Sequence, residues 1–197
     1  MPHLRGRCLI VGSWGVKANE SDIGLDYLGL VHAAILKPND YKQFDVVAVL
    51  EYLKSHIIKV IRHDWKPLTK EEIKQYKKSN LPIPKVLSEE EIQAYVDEGF
   101  RVHYSYVVTL VAECLCDYFQ TGEYIIYDYE ASTERKITKF VYTTETLEFL
   151  LSELENFLEP THFEYESWAS GESLQEWLSH ILMLCNSMKG GLANGYE

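Results

Sequence analysis

Apolar residues recur at helical spacing along most of the chain. A first helix is predicted to begin at residue 19 or 21 and to end at about residue 36, just before Pro38. A second is predicted from residue 39 or 40 to about 63, because its apolar residues at 46, 49, 50, 53, 57, 60 and 61 form one stripe. Later stripes predict helices over residues 144–158 and 173–188.

Two segments in the middle of the chain, "LTKEEIKQY" and "LSEEEIQAY", resemble each other. Each has a hydroxyl residue followed three positions later by glutamate, Thr69 with Glu72 and Ser88 with Glu91. This spacing is typical of the reciprocal capping box at a helix start. We interpret the pair as two independent helix starts rather than a repeat. The second is predicted to continue through Gly99 into a long buried helix.

The period then changes to that of a sheet. The runs "EYIIYDYE" and "KITKFVYT" are rich in β-branched and aromatic residues and flank "ASTER", which predicts a β-hairpin. Further strands are expected from "RCLIV" at 7–11 and "HFEYE" at 162–166. The predicted fold is therefore α+β: a mainly helical single domain over residues 1–189 with a small antiparallel sheet built on the hairpin. Residues 190–197 are predicted to be a flexible tail, because Gly190 and Gly191 would end the last helix.

The charge of the chain is strongly negative and uneven. The formal net charge is −11, which argues against a nucleic-acid or anionic-membrane partner. Residues 37–78 hold ten Lys or Arg against six Asp or Glu, whereas residues 141–188 hold nine Glu and no basic residue. The sequence shows no apolar run of about 18 residues and no secretory leader. The four cysteines are interpreted as reduced thiols, mostly in the core. A cytoplasmic location is therefore expected.

The acidic segment contains an amphipathic helix. Over residues 144–158 the leucines form one stripe and the glutamates follow the same spacing on a neighbouring face. A solvated helix face is the more common explanation of this pattern, and a docking surface is the alternative. If it is a docking surface, it suits a basic protein, and the candidate protein-binding residues are Glu145, Glu148, Glu155, Glu159, Glu164 and Glu166.

No standard catalytic or phosphate-binding motif occurs in the sequence. His56 and His63 share a helix face, but two helical turns separate them by about 10 Å, too far for one metal ion. Ser13, Cys185 and His180 are each of a type that acts as nucleophile or base, without a local signature around any of them. We therefore predict no metal, no cofactor and no catalytic residue.

The opening stretch "GSWGVKANESDIGLDYLGLV" resembles the start of the bacterial DUF4259 family, whose pattern is Met-Gly-x-Trp-Gly, a spacer, acids, and Asp-aromatic-Leu in the first helix. The matching positions are Gly12, Trp14, Gly15, Asp22, Asp26, Tyr27 and Leu28. The resemblance covers about twenty residues and implies a bacterial origin but no reaction. It marks Trp14, Asp22 and Asp26 as a candidate motif site. Physically, Trp14 between two glycines is interpreted as a structural plug over the helix start.

The same resemblance bears on where the native chain begins. Val11 occupies the position of the family's initiator methionine, which suggests that residues 1–10 are an annotation extension. The alternative is that "RCLIV" supplies a genuine strand of the sheet.

Three functions are compatible with these features. The first is a non-catalytic bacterial binding protein, of an immunity or antitoxin type, that binds a basic protein through its acidic C-terminal face. The second is a hydrolase with a site of dispersed polar residues around Trp14, Asp26 and His32. The third is a DNA mimic, against which the basic middle region argues. We favour the first.

Overall fold

The chain folds into a mainly helical α+β structure, as predicted. The structure is a computed structural model that describes residues 17, 26–32, 43–64, 69–79, 88–128, 132–169 and 173–194. Residues 26–32 are helical and are labelled α1. The elements that follow are β1 (Gln43–Asp45), α2 (Val46–Asp64), α3 (Lys70–Lys78), α4 (Glu89–Thr121), β2 (Tyr124–Asp128), β3 (Thr133–Ile137), β4 (Lys139–Val141), α5 (Thr144–Phe157), α6 (Phe163–Ala169) and α7 (Leu174–Asn194).

Two compact units divide the chain. The larger combines Met1–Leu53 with Ser105–Glu197, and the smaller is Lys54–Tyr104. The boundaries lie within helices α2 and α4, so the units share continuous helices rather than a linker. The expectation of a single domain over residues 1–189 stays a prediction.

The smaller unit contains both predicted capping boxes. The Thr69 backbone N–H donates to Glu72 Oε2 (2.7 Å) and the Glu72 N–H donates to Thr69 Oγ1 (3.2 Å). The same reciprocal pair joins Ser88 and Glu91, at 2.8 and 3.2 Å. Each box satisfies amides that have no partner inside the helix. Both helix starts, and the continuous long helix after the second, are confirmed.

The described strands of the larger unit form two separate two-stranded sheets. The predicted antiparallel hairpin is confirmed as the pair β2–β3, with Tyr124 opposite Ile137, but its second strand begins at Thr133, inside the segment predicted as the connection. The second predicted strand, "KITKFVYT", is interrupted after Ile137. Its later residues form the separate strand β4, which pairs in parallel with β1. Phe44 of β1 stacks on Phe140 of β4 with ring centroids 4.6 Å apart. This parallel pair was not predicted.

Two boundaries predicted near these strands are wrong. Helix α2 begins at Val46 rather than at residue 39 or 40, because residues 43–45 are in a strand and the Asp45 carboxylate accepts the Ala48 N–H (3.0 Å) as a cap. Residues 162–166 are not a strand: Phe163–Ala169 is helix α6. Its tryptophan, Trp168, stacks on Trp177 of α7 with ring centroids 6.0 Å apart, so tertiary packing overrides the β-prone composition.

Helices α5 and α7 pack against each other in the larger unit. The predicted leucine stripe of α5 is confirmed, with Leu147, Leu150 and Leu154 buried. On α7 the buried residues are Trp177, His180, Ile181, Leu184, Cys185, Met188 and Gly191. Cys114, Cys116 and Cys185 are buried free thiols, and Cys8 lies outside the described residues.

The last helix does not end at Gly190 and Gly191 as predicted but continues to Asn194. Gly191 is buried because its helix approaches other side chains there. A Cβ added at Gly191 would lie 2.9 Å from the Phe119 ring and 3.2 Å from Leu147 Cδ1. A Cβ at Gly190 would meet nothing within 4 Å.

Valine substitution at the two glycines is therefore expected to separate their roles. We expect Gly191→Val to lower the free energy of unfolding by about 2 kcal/mol, since it overpacks the contact with Phe119. Gly190→Val is the matched control and should change it by less than about 0.5 kcal/mol. Urea denaturation measures both. Equal effects at the two positions would show that Gly191 does not pack closely.

Candidate functional site

The acidic residues predicted on the helix over 144–158 lie on one exposed surface. Glu145, Glu148 and Glu155 are exposed on α5, and Glu159 is exposed two residues after its end. We call these four glutamates the acidic surface. Glu155 forms an ion pair with Lys189 of α7 at 2.8 Å, with both side chains about half exposed. An ion pair at such exposure contributes at most about 1 kcal/mol.

The acidic surface is not purely polar. Phe149, on the same helix, keeps 37% of its surface exposed. An exposed aromatic ring among glutamates offers an apolar contact beside the charges, which is the combination that protein partners use as an anchor. At the start of α5, hydrogen bonds from its own backbone amide and from Thr143 lower the pKa of Glu145, so this carboxylate is charged at neutral pH.

Glu164 does not belong to the acidic surface. The Ser105 hydroxyl of α4 donates a hydrogen bond to its carboxylate, and burial raises its pKa. The hydrogen bond between Glu164 and Ser105 therefore connects α6 to α4. Glu166, two residues further on α6, is exposed. Sequence spacing alone could not separate these two residues, because α6 is not part of the helix that carries the other glutamates.

The candidate motif site from the opening stretch is only partly described. Trp14 and Asp22 lie outside the described residues. Asp26, the first described residue of α1, is exposed, and the next residue, Tyr27, is buried. Burial and the Asp26 carboxylate raise the pKa of Tyr27, so its hydroxyl stays protonated. Among the described residues no hydrogen bond or ion pair joins Asp26 to His32, and six positions of α1 separate them, about 240° around the helix.

His32 instead belongs to a partly buried chain of polar side chains. Its Nε2 lies 3.4 Å from the Tyr124 hydroxyl, which also hydrogen-bonds the Cys114 thiol. Burial lowers the pKa of His32 to about 4 and raises that of Cys114 to about 12. At neutral pH the imidazole is therefore uncharged and the thiol protonated. Neither has the character of an activated nucleophile or of a charged ligand-binding group.

A second polar pair joins α4 to α7. His180 Nε2 lies 2.8 Å from Glu113 Oε1, and the two side chains are 8% and 12% exposed. Because a carboxylate only accepts hydrogen bonds, the imidazole carries a proton on Nε2. A buried carboxylate and a buried imidazole that satisfy each other in this way hold one fixed geometry.

This pair lines a cleft of about 240 Å³ in the larger unit. Helix α4 supplies the polar wall with Glu113, Asp117 and Gln120, together with Cys114 and Cys116. The remaining lining residues are Lys17, Leu28, Leu110, Tyr124, His180, Met183 and Leu184. No local sequence signature surrounds His180, and none marks Glu113 as a functional residue. One signal was present: each is a polar residue within the apolar stripe of a buried helix.

No metal centre is built from the residues described in the structure, since none of their His, Cys, Asp and Glu side chains gather in groups of three. Nor does any described helix combine the length and the apolar character needed to cross a bilayer. The chain matches no protein-family model, no curated protein and no solved structure. The resemblance to the DUF4259 family therefore stays a prediction.

Proposed function

We propose that this protein is a non-catalytic cytoplasmic bacterial binding protein, of an immunity or antitoxin type, that uses the acidic surface of α5 to bind a basic protein. One observation supports this proposal: three exposed glutamates on α5 and a fourth just after its end lie within a segment of 48 residues, 141–188, that has no Lys or Arg. A single-sign surface of this length attracts a basic partner and repels acidic ones.

The packing of α5 supports the proposal. Its leucine stripe is buried, so the helix is held by apolar contacts and its glutamates are not needed for folding. Glu155 forms an ion pair with the exposed Lys189, and α5 also presents the partly exposed Phe149. A surface of this kind increases the association rate and sets specificity more than it sets affinity.

Charge reversal on the acidic surface should separate binding from folding. The double variant Glu148→Lys, Glu159→Lys leaves the ion pair of Glu155 intact. We expect its free energy of unfolding to change by less than about 1 kcal/mol, because both residues are exposed. A larger loss, measured by urea denaturation, would show that the surface is part of the folded core.

Capture from the native host tests the function itself. Immobilised wild-type protein should retain a basic protein, and the double variant should not. The matched control is Glu51→Lys, Glu98→Lys, which makes the same charge change at exposed positions of α2 and α4. Capture of acidic partners only, or equal capture by all three proteins, would contradict the proposal.

A hydrolase is the second candidate, and the observation that favours it is the Glu113–His180 pair in a cleft. An imidazole fixed by a carboxylate is a common general base. The described lining residues include no serine or threonine, however, and the Cys114 thiol is protonated at neutral pH. Such a hydrolase would have to activate water directly.

A further inference from the structure

We propose that helix α3 (Lys70–Lys78) docks on the acidic surface of a second copy of this chain. The inference rests on the proposed function, because it takes the acidic surface to bind basic side chains. It goes further in naming one occupant of that surface, a basic helix of the same protein. Three observations carry it: the charge of α3, its lack of buried side chains, and its match to α5.

The first observation is the charge of α3. Four of its nine residues are lysines, and all four are exposed: Lys70, Lys74, Lys77 and Lys78. Successive residues of a helix are about 100° apart, so Lys70, Lys74 and Lys77 lie within about 60° of one another. Of the two glutamates of α3, Glu72 is bound to Thr69 in the capping box. One side of the helix is therefore basic.

The second observation is that α3 contributes no buried side chain. Ile73 and Tyr76 are both only partly exposed, and neither is part of the core. Ile73 lies beside the basic side of the helix, three positions after Lys70 and four before Lys77. Isolated helices shorter than about 12–15 residues are marginally stable in water. A partner that packs against Ile73 would therefore stabilise α3.

The third observation is the match between α3 and the acidic surface. Lys74 and Lys77 lie three residues apart on α3, about 4.5 Å along its axis. Glu145 and Glu148 have the same spacing on α5. When the two helices lie side by side, each lysine can therefore contact a glutamate. Phe149, which is 37% exposed beside these glutamates, offers an apolar contact to the same helix.

The net charge of the chain opposes this contact only at long range. Each copy carries a formal charge of −11, so two copies repel each other at a distance. At physiological ionic strength the Debye length is about 8 Å, so distant charges are screened and touching side chains decide the outcome. A contact between two short helix faces is small, and we expect a dissociation constant of roughly 100 µM.

Sedimentation velocity on the full-length protein tests the inference, at about 10–500 µM protein and about 150 mM salt. The wild type should change from monomer to larger species over this range. Lys74→Glu, Lys77→Glu reverses the charge of α3 and should weaken the association at least about tenfold. Lys54→Glu, Lys59→Glu makes the same charge change at exposed positions of α2 and is the matched control, which should associate as the wild type does.

A mixture of two reversed proteins keeps the test independent of damage to either variant. Glu148→Lys, Glu159→Lys alone should also associate at least about tenfold more weakly than the wild type. Mixed with the α3 variant, it offers lysines to a helix that now carries glutamates, so the mixture should associate again. A wild type that stays monomeric up to about 500 µM, an α3 variant that associates as the wild type does, or a monomeric mixture would each overturn the inference.

Capture from the native host separates this inference from the proposed function. Lys74→Glu, Lys77→Glu keeps the acidic surface, so it should retain a basic partner at least as well as the wild type does. Capture by a wild type that stays monomeric would contradict only the self-association. Self-association without capture would contradict only the foreign basic partner.

Discussion

Replacing His180 with leucine is expected to lower the free energy of unfolding by about 3 kcal/mol. The substitution leaves the Glu113 carboxylate, whose side chain is 12% exposed, without the imidazole that now satisfies it at 2.8 Å. An uncompensated buried charge costs more than the pair contributes, because the lost contact adds to the desolvation of the remaining group. Urea denaturation at neutral pH measures the change.

The double variant Glu113→Leu, His180→Leu should recover most of this loss, since apolar residues that replace a buried pair restore packing without a lone charge. The resulting double-mutant cycle should give a coupling free energy of at least about 1.5 kcal/mol. Ser179→Leu, at the exposed neighbouring position on α7, is the control for a leucine in this helix. Additive losses in the double variant would contradict the role given to the pair.

Acidification is expected to destabilise the protein through His32. Burial lowers the pKa of this imidazole from 6.5 to about 4 in the folded state. Between these two values the unfolded chain binds more protons than the folded protein, so the free energy of unfolding falls as the pH falls. From pH 7 to about pH 4.5 we expect a loss of about 2 kcal/mol from this residue, after allowance for the partial exposure of the ring.

The comparison with His32→Phe isolates this contribution. Phenylalanine keeps a ring against Tyr124, whose centroid lies 6.2 Å from that of His32, and it cannot take a proton. Burial raises the pKa of Glu153 and Glu164, which acts in the opposite direction, but these residues are common to both proteins. The variant should therefore lose about 2 kcal/mol less than the wild type over this pH range. Equal losses would show that His32 is not held uncharged.

Local features of the fold could be predicted from the sequence. The capping boxes at Thr69 and Ser88 depend on residues three positions apart, and the leucine stripe of α5 depends on spacings of three and four. In both cases the residues that interact are neighbours along the chain. The exposure of the α5 glutamates could be predicted from the same periodicity, because burial of the leucine stripe determines which face of the helix is exposed to solvent.

Features that join distant segments could not be predicted. Glu113 and His180 are 67 residues apart, and each looks like an isolated polar residue in an apolar stripe until α4 and α7 pack together. The parallel pair β1–β4 joins strands of three residues, too short to carry a periodic signal. The sequence predicts Glu164 as a protein-binding residue, and its inward hydrogen bond could not be predicted because its partner, Ser105, lies 59 residues away.

The continuation of α7 beyond Gly190 has the same kind of cause. Glycine usually disfavours a helix, and two in succession suggested an end. In the structure, Gly191 is the residue that allows α7 to approach Phe119 and Leu147 closely. The small size of Gly191 allows close packing between helices. Helix propensity alone does not predict this effect.

The proposed function depends most on the acidic surface, which a basic partner is expected to contact first. The measurement that tests this most directly is the association rate constant of the captured partner, determined at about 50 mM and about 500 mM salt. For the wild type we predict a rate that falls at least about tenfold between these conditions. Glu148→Lys, Glu159→Lys should associate more slowly at low salt and depend less on salt. An association rate that is the same for wild type and variant at low salt would contradict the account.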